Sequence, residues 1–161
     1  MLSTEAAWTA LRQVPDPEIP AISVCDLGIV RDLTCGEDGI TVVVTPTYSG
    51  CPATDVIHDS IRAALLEAGA SAVTVRTRLS PAWTTDWIAV DARERLRACG
   101  IVPPDPVASA VARPVRLMVR RPCPRCASVR TEQLSAFGST ACKALHRCLD
   151  CGEPFEYFKP L

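Results

Sequence analysis

The sequence predicts an α+β fold, in which a small mixed sheet with helices on one face is followed by a β-rich zinc ribbon. Three observations predict it. Helical and strand-like segments alternate in the N-terminal part, a proline-rich stretch begins at residue 103, and two Cys-x-x-Cys pairs follow. Elements in this mixed order suit helices packed on one face of a sheet. We therefore predict a first domain at 1–102, a linker at 103–114 and a zinc ribbon at 115–161.

The first domain is predicted from hydrophobic periodicity and turn residues. Apolar residues recur at helical spacing in three segments, and β-branched residues dominate three others. Gly36 and Gly39 enclose a turn, which favours a hairpin of the first two strands. Pro15 ends the first helix, because proline lacks the N–H that a helix interior needs. The predicted helices lie at 4–14, 52–68 and 91–98, and the predicted strands at 27–33, 40–45 and 72–79.

The C-terminal part carries the strongest metal-binding pattern. Two pairs, Cys-Pro-Arg-Cys and Cys-Leu-Asp-Cys, are separated by 21 residues. A two-residue gap lets one tight turn direct both sulfurs of a pair at the same ion, so the pairs predict a closed, structural zinc site. The predicted ligands, here called the cysteine quartet, are Cys123, Cys126, Cys148 and Cys151. A rubredoxin-like iron site uses similar pairs, so iron remains the alternative.

Residues near the second pair complete the predicted ribbon. Cys142 is open to three interpretations: a spare thiol, a substitute ligand or a surface contact. His146 is a fallback ligand that ranks below the four cysteines. Phe155, Tyr157 and Phe158 are predicted to form the aromatic core of the ribbon.

Composition indicates a folded chain in a reducing compartment. Hydrophobic residues make up 48% of the 161 residues, enough for one modest domain and a small metal-stapled one. The nine cysteines form no complete disulfide set, because their number is odd. The first residues lack the regions of a signal peptide, and no apolar run approaches the ~18 residues of a membrane span. We expect a cytoplasmic protein without a membrane partner.

Charge separates two parts of the chain better than it identifies a partner. Residues 1–102 carry a net charge of −5 and residues 103–161 a net charge of +4. Nucleic-acid binding through the ribbon is only weakly indicated by the sequence, since the basic patch of the ribbon is small and lacks interleaved aromatic residues. The arginines of this patch are Arg116, Arg120, Arg121 and Arg125.

The loop at 45–55 carries the candidate chemistry of the first domain. Cys51 precedes Pro52, a residue favoured in the first helical turn. This order predicts a thiol at the helix N-terminus, where free N–H groups and the helix dipole stabilise a thiolate. On a helical wheel Asp55 and His58 share the polar face of Cys51, so the three side chains are predicted to bind iron or to activate the thiol.

Each of these residues also has a purely structural interpretation. Cys51 could fill an apolar space, Asp55 could complement the helix dipole, and His58 could be solvated. Asp16 and Glu18 are loop carboxylates that could instead form a turn. No oxyanion-hole motif, phosphate loop or dinucleotide fingerprint accompanies them, so we expect this chain not to be an enzyme.

Several motifs resemble known families. Asp-Pro-Glu-Ile-Pro at 16–20, Leu-Gly-Ile-Val at 27–30 and the loop ending in Cys-Pro at 45–52 together resemble the MIP18-like domain of iron–sulfur cluster assembly, also called domain of unknown function 59. Four further motifs resemble the D-subunit family of bacterial phenylacetyl-CoA epoxidase systems, and this likeness spans residues 5–160. These motifs lie at 83–88, 100–104, 137–143 and 153–159.

The resemblance implies a non-catalytic maturation factor in aerobic phenylacetate degradation. Such a factor would assist iron–sulfur cluster assembly or insertion in the epoxidase reductase, which carries a ferredoxin-type cluster. Cys51 would be a transient iron or cluster ligand, with Asp55, His58, Asp16 and Glu18 as further candidates. Since one thiolate cannot hold a four-thiolate cluster, a homodimer or the client's cysteines would complete the site. The alternative is a structural or regulatory subunit of the epoxidase complex, in which Cys51 is incidental.

Overall fold

The structure is a computed structural model that describes residues 2–104 and 121–160. Most of the predicted linker at 103–114, and the first ribbon strand predicted from residue 115, lie outside the described residues. The predicted domain limits therefore stay predictions. The contacts divide the chain into two compact units, namely Met1–Trp83 with Trp87–Ala89, and Thr84–Asp86 with Val90–Leu161. Across the described ranges, every helix is too short or too polar to cross a membrane.

The first unit contains two helices and a three-stranded sheet. Its elements are α1 (Thr4–Leu11), β1 (Val30–Gly36), β2 (Gly39–Val44), α2 (Thr54–Glu67) and β3 (Val73–Thr77). The central strand β2 is antiparallel to β1 and parallel to β3, so the sheet is mixed as predicted. The predicted hairpin is confirmed, since β1 and β2 pair as far as Gly36 and Gly39.

Alternating side chains give this sheet one buried face. Val42 and Val44 of β2 are buried, whereas Val43 between them is half-buried. Helix α2 presents Ile57 and Ile61 as a buried stripe at a spacing of four residues. Because α1 contacts β1 and α2, and α2 contacts β3, the helices cover the buried face. The α+β prediction is confirmed.

Gly28 adopts a backbone conformation that other residues adopt only with strain. Its φ is +69°, and a Cβ atom there would lie 2.6 Å from the carbonyl oxygen of Trp87. We expect Gly28→Ala to lower the free energy of unfolding of the first unit by about 2 kcal/mol or more, because positive φ and steric overlap act together. Urea unfolding followed by tryptophan fluorescence measures this, since Trp8, Trp83 and Trp87 all lie in the first unit.

Gly50→Ala is the matched control for this substitution. A Cβ atom at Gly50 would meet no heavy atom within 4 Å. We expect it to change the free energy of unfolding by less than about 0.5 kcal/mol. Equal unfolding midpoints for the two variants would contradict the steric argument for Gly28.

In its described residues, the second unit combines a helix with a four-stranded sheet. Its elements are α3 (Val90–Ala98), β4 (Ile101–Val102), β5 (Thr131–Ser135), β6 (Lys143–Cys148) and β7 (Pro154–Phe158). The strand order is β4-β7-β6-β5, in which only the β4–β7 pair is parallel. Helix α3, which the sequence grouped with the first sheet, contacts β4. The predicted aromatic core is confirmed, since Phe155, Tyr157 and Phe158 are buried.

Candidate functional site

Two backbone turns of the same design hold the cysteine quartet. In the first turn, the N–H of Ala127 donates to the carbonyl oxygen of Cys123 at 2.9 Å. In the second, the N–H of Gly152 donates to the carbonyl oxygen of Cys148 at 3.1 Å. Ala127 and Gly152 both have positive φ, 60° and 77°. Each pair of cysteines is therefore bent sharply enough to direct two sulfurs at one point.

The four sulfur atoms form a group with the size of a tetrahedral metal site. Their ligand atoms all lie within 4.8 Å of one another. The Sγ–Sγ distances are 3.8 Å for Cys123 with Cys151 and 3.5 Å for Cys126 with Cys148. Zn–S bonds of about 2.3 Å require sulfurs about 3.8 Å apart in a tetrahedron, so the donor set fits zinc. Among the described residues, this is the single converging group of three or more His, Cys, Asp or Glu side chains.

Backbone amides favour the charged form of Cys148. The N–H of Cys151 lowers the pKa of Cys148 to about 6, although burial acts in the opposite direction, and the N–H of Asp150 adds to the lowering. Arg125 places a positive charge near Cys151 and donates to Glu153 at 2.5 Å. A thiolate is the form that binds a metal ion, so this environment prepares Cys148 as a ligand.

The neighbouring thiols act in the opposite direction on two other members of the quartet. Despite the backbone N–H of Ser128, these thiols raise the pKa of Cys126 to about 12. Despite the backbone N–H of Glu153, burial together with neighbouring thiols raises the pKa of Cys151. Metal binding must therefore displace the protons of these two thiols.

The two neighbouring candidates stay outside the quartet. His146 is buried on β6 and stacks on Phe155 with ring centroids 5.5 Å apart. Burial, together with the charge of Arg121, lowers the pKa of His146, so this side chain is a neutral member of the aromatic core. Cys142 is half-buried, with its Sγ 3.1 Å from Oγ1 of Thr140. Neither residue adds a ligand atom to the converging group.

The Cys51 loop connects β2 with α2. At the start of the loop, the N–H of Thr45 donates to the carbonyl oxygen of Ile29 at 2.8 Å. At its end, Oγ1 of Thr54 donates to the carbonyl oxygen of Cys51 at 2.9 Å. Cys51 is half-buried, and its thiol makes no hydrogen bond within the described part of the chain. The helix begins two residues later than predicted, because Pro52 and Ala53 form a turn and α2 begins at Thr54, so Cys51 precedes the helix by three residues.

The predicted carboxylates at 16 and 18 belong to a tight turn. Asp16 is 5% exposed, and its Oδ1 accepts the N–H groups of Glu18 at 2.9 Å and of Ile19 at 2.8 Å. Glu18 itself is exposed. The structure therefore gives Asp16 a turn-forming contact and leaves Glu18 accessible.

The candidates on α2 face different surroundings. Asp55 is exposed, whereas His58 is half-buried with its Nε2 atom 3.1 Å from Oγ1 of Thr77 on β3. Within the residues that the structure places, these side chains do not converge with Cys51 on one point. Cys51 is thus a single thiol donor and not one member of a preformed chelating group.

The arginines of the proposed basic patch have partners where the structure describes them. The guanidinium of Arg121 lies 4.0 Å from the ring centroid of Tyr157, and Arg125 pairs with Glu153. Arg116 and Arg120 lie outside the described residues. The described part of the ribbon therefore gives no support to the nucleic-acid option.

Two family models match this chain. A model described as "Iron-sulfur cluster assembly protein" matches residues 4–76, which include the Cys51 loop. A model described as "PaaD zinc beta ribbon domain" matches residues 110–159, which include the whole quartet. The two resemblances predicted from the sequence motifs are confirmed.

Individual relatives agree with both models. A crystal structure of a domain of unknown function, DUF59, from Bacillus anthracis aligns with 57% of this chain and 89% of the DUF59 chain. The TM-score is 0.52 and the identity is 24%, which shows a shared fold. An "Fe-S protein maturation auxiliary factor" of Porphyromonas gingivalis is 37% identical over 51% of this chain and 79% of its own. The D subunit of a system named "Putative 1,2-phenylacetyl-CoA epoxidase" in Escherichia coli K12 is 52% identical over 94% of this chain and 90% of its own. With this identity over nearly the full length of both chains, the protein belongs to the D-subunit family of phenylacetyl-CoA epoxidase systems.

Proposed function

We propose that this chain is an accessory maturation factor of a phenylacetyl-CoA epoxidase system and assists the assembly or insertion of an iron–sulfur cluster in the reductase subunit. The observation that carries the proposal is the setting of Cys51. Its thiol is partly exposed, makes no hydrogen bond in the described part of the chain, and lies within the region that resembles cluster assembly proteins. A relative named as a maturation factor supports an accessory role.

A single, partly exposed thiol suits transfer of a cluster better than permanent storage. Iron–sulfur clusters are held by several cysteine thiolates, commonly four. Cys51 would supply one of these, and the others would come from the client or from a second copy of this chain. Asp55, His58 and Glu18 remain candidate second donors, whereas Asp16 already uses Oδ1 in its turn. A site completed by the client releases its cargo to that client.

The quartet has a separate role in this proposal. Four thiolates around Zn²⁺ leave no open coordination position, so the ion supports the fold of the ribbon and takes no part in cluster chemistry. The ribbon would then be a rigid surface that docks an epoxidase subunit.

Cys51→Ala is the direct test of the maturation role. We expect the iron and acid-labile sulfide per reductase molecule to fall to the level found without this protein, because the variant lacks the transferring thiolate. The measurement compares reductase co-expressed with the intact protein, with the variant or with neither. Cys35→Ala is the matched control, since Cys35 is a half-buried thiol of the same unit and lies outside the loop. We expect it to support full loading.

Equal loading in all samples would overturn the maturation role and leave the alternative, a structural or regulatory subunit. Full loading with the intact protein and with both variants would keep a maturation role but remove Cys51 from it.

A further inference from the structure

Arg31 is held in one orientation by its surroundings in the first unit. Its guanidinium carbon lies 3.5 Å from the ring centroid of Trp87, and Nη1 donates to the carbonyl oxygen of Gly28 at 3.3 Å. The Nε atom is buried and has no hydrogen-bond partner among the described residues. A planar guanidinium fixed on an indole ring loses little further freedom when it binds a ligand. The buried Nε donor without a partner costs free energy in the folded state.

A second arginine adds like charge at the same place. Burial and the charge of Arg78 lower the pKa of Arg31, which shows that the two cations lie close enough to repel. Neither of them forms an ion pair with any residue that the structure describes. The adjacent acid, Asp32, instead accepts the N–H of Leu33 at 2.9 Å. Among the described residues, two guanidinium groups without an ion-pair partner therefore lie near each other on a unit with excess acidic residues.

Strand register places these arginines at the end of the sheet where the Cys51 loop begins. Val30 of β1 and Thr77 of β3 both pair with Val44, the last residue of β2. Arg31 follows Val30 at a β-bulge, and the N–H of Arg78 donates to the carbonyl oxygen of Val44 at 2.8 Å. Bulges commonly redirect a side chain beside a binding site.

We propose that Arg31 and Arg78, with Trp87 as the stacking platform, form an oxyanion-binding site that takes a carboxylate or phosphate group. An oxyanion beside the guanidinium groups would supply the counter-charge that both cations lack. Such a group has two possible sources, an acidic segment of a partner protein or a small free oxyanion. This inference is independent of the role proposed for Cys51.

Isothermal titration calorimetry of the full chain with inorganic phosphate and with hexaglutamate tests the site. We expect binding that weakens as salt is added, and an increase of about tenfold in the dissociation constant for Arg78→Gln, an exposed position where the fold is unaffected. Arg31→Gln should act in the same direction. Arg76→Gln is the matched control, because Arg76 is an exposed arginine of β3 only two residues before Arg78. This control should change the dissociation constant less than about twofold.

The outcomes separate the sources and decide the proposal. Tighter binding of hexaglutamate than of phosphate identifies an acidic protein segment as the ligand, and the reverse order identifies a free oxyanion. Absence of binding by both probes overturns the site. Equal losses in Arg76→Gln and Arg78→Gln overturn it as well, because a diffuse positive field would then explain the binding.

Discussion

Cys148→Ser is expected to abolish metal binding at the quartet and to unfold the ribbon, while the first unit keeps its fold. Structural zinc sites contribute apparent binding free energies of about 10–16 kcal/mol at neutral pH, as much as the whole stability of a small domain. The apolar core of the ribbon is too small to keep it folded without the metal, because two of the ligands, Cys123 and Cys148, are themselves part of that core. That core consists of Val102, Cys123, Cys148, Phe155 and Tyr157.

Three measurements on the full chain check this result. Elemental analysis gives the zinc content, hydrogen exchange of β6 and β7 reports the ribbon, and tryptophan fluorescence reports the first unit. A strong chelator added to the wild-type protein should reproduce the effect of the variant. Cys142→Ser is the matched control, because its sulfur lies outside the quartet; we expect one zinc per chain and unchanged exchange. Zinc retained by Cys148→Ser would refute the quartet as the metal centre, and iron in place of zinc would favour the rubredoxin-like alternative.

The quartet could be predicted from the sequence because its geometry is local. A Cys-x-x-Cys pair encodes its own turn, and a shared ion is the reason that two such pairs meet. The start of α2 could not be predicted with the same precision. Its N-cap residue, Ala53, makes no side-chain hydrogen bond, so none of the usual capping residues marks the boundary. Proline at 52 suits either a turn or a first helical position, and the turn is what forms.

Non-local pairing explains the other differences. Helix α3 belongs with the second unit because β4 pairs with β7, a strand more than fifty residues later in the chain. The burial of Lys143, which is the most buried charged residue among those that the structure describes, was also not predicted. Lysine in a strand is ordinarily exposed, and its burial depends on a carboxylate from the neighbouring strand.

Glu156→Gln is expected to lower the free energy of unfolding of the second unit by about 3–5 kcal/mol, because it leaves a buried lysine without its counter-charge. Lys143 is 2% exposed, and its Nζ lies 2.8 Å from Oε2 of Glu156. The other carboxylate oxygen accepts the N–H of Ser139 at 2.6 Å. Glutamine keeps the shape of glutamate but lacks its charge and one of its two acceptor oxygens, so the loss reports both the ion pair and one hydrogen bond. Hydrogen exchange of β6 and β7 measures the change in the intact chain.

Two further variants test whether the loss of stability in Glu156→Gln comes from the buried ion pair. Glu132→Gln removes the partner of Arg147 in the same sheet, but both side chains are largely exposed, so we expect a change below about 1 kcal/mol. The double variant Lys143→Met with Glu156→Leu replaces the buried pair by apolar side chains. We expect it to recover most of the loss, since such replacements are often neutral or stabilising. Equal effects of Glu156→Gln and Glu132→Gln would contradict the buried-pair argument.

The pKa of Glu156 determines how the difference in stability between the wild type and Glu156→Gln varies with pH. Burial alone would raise that pKa, but Lys143 and Ser139 lower it below its ordinary value of 4.5. Because the pKa is lower in the folded state, the carboxylate stabilises the second unit fully above pH 4.5 and loses this contribution as the pH falls through the folded-state value. The gap in stability between the wild type and Glu156→Gln should therefore be constant near neutral pH and narrow in acid. Since both proteins carry the same quartet, acid release of its metal affects both. A gap that persists unchanged in acid would show that Glu156 stabilises the unit by something other than its charge.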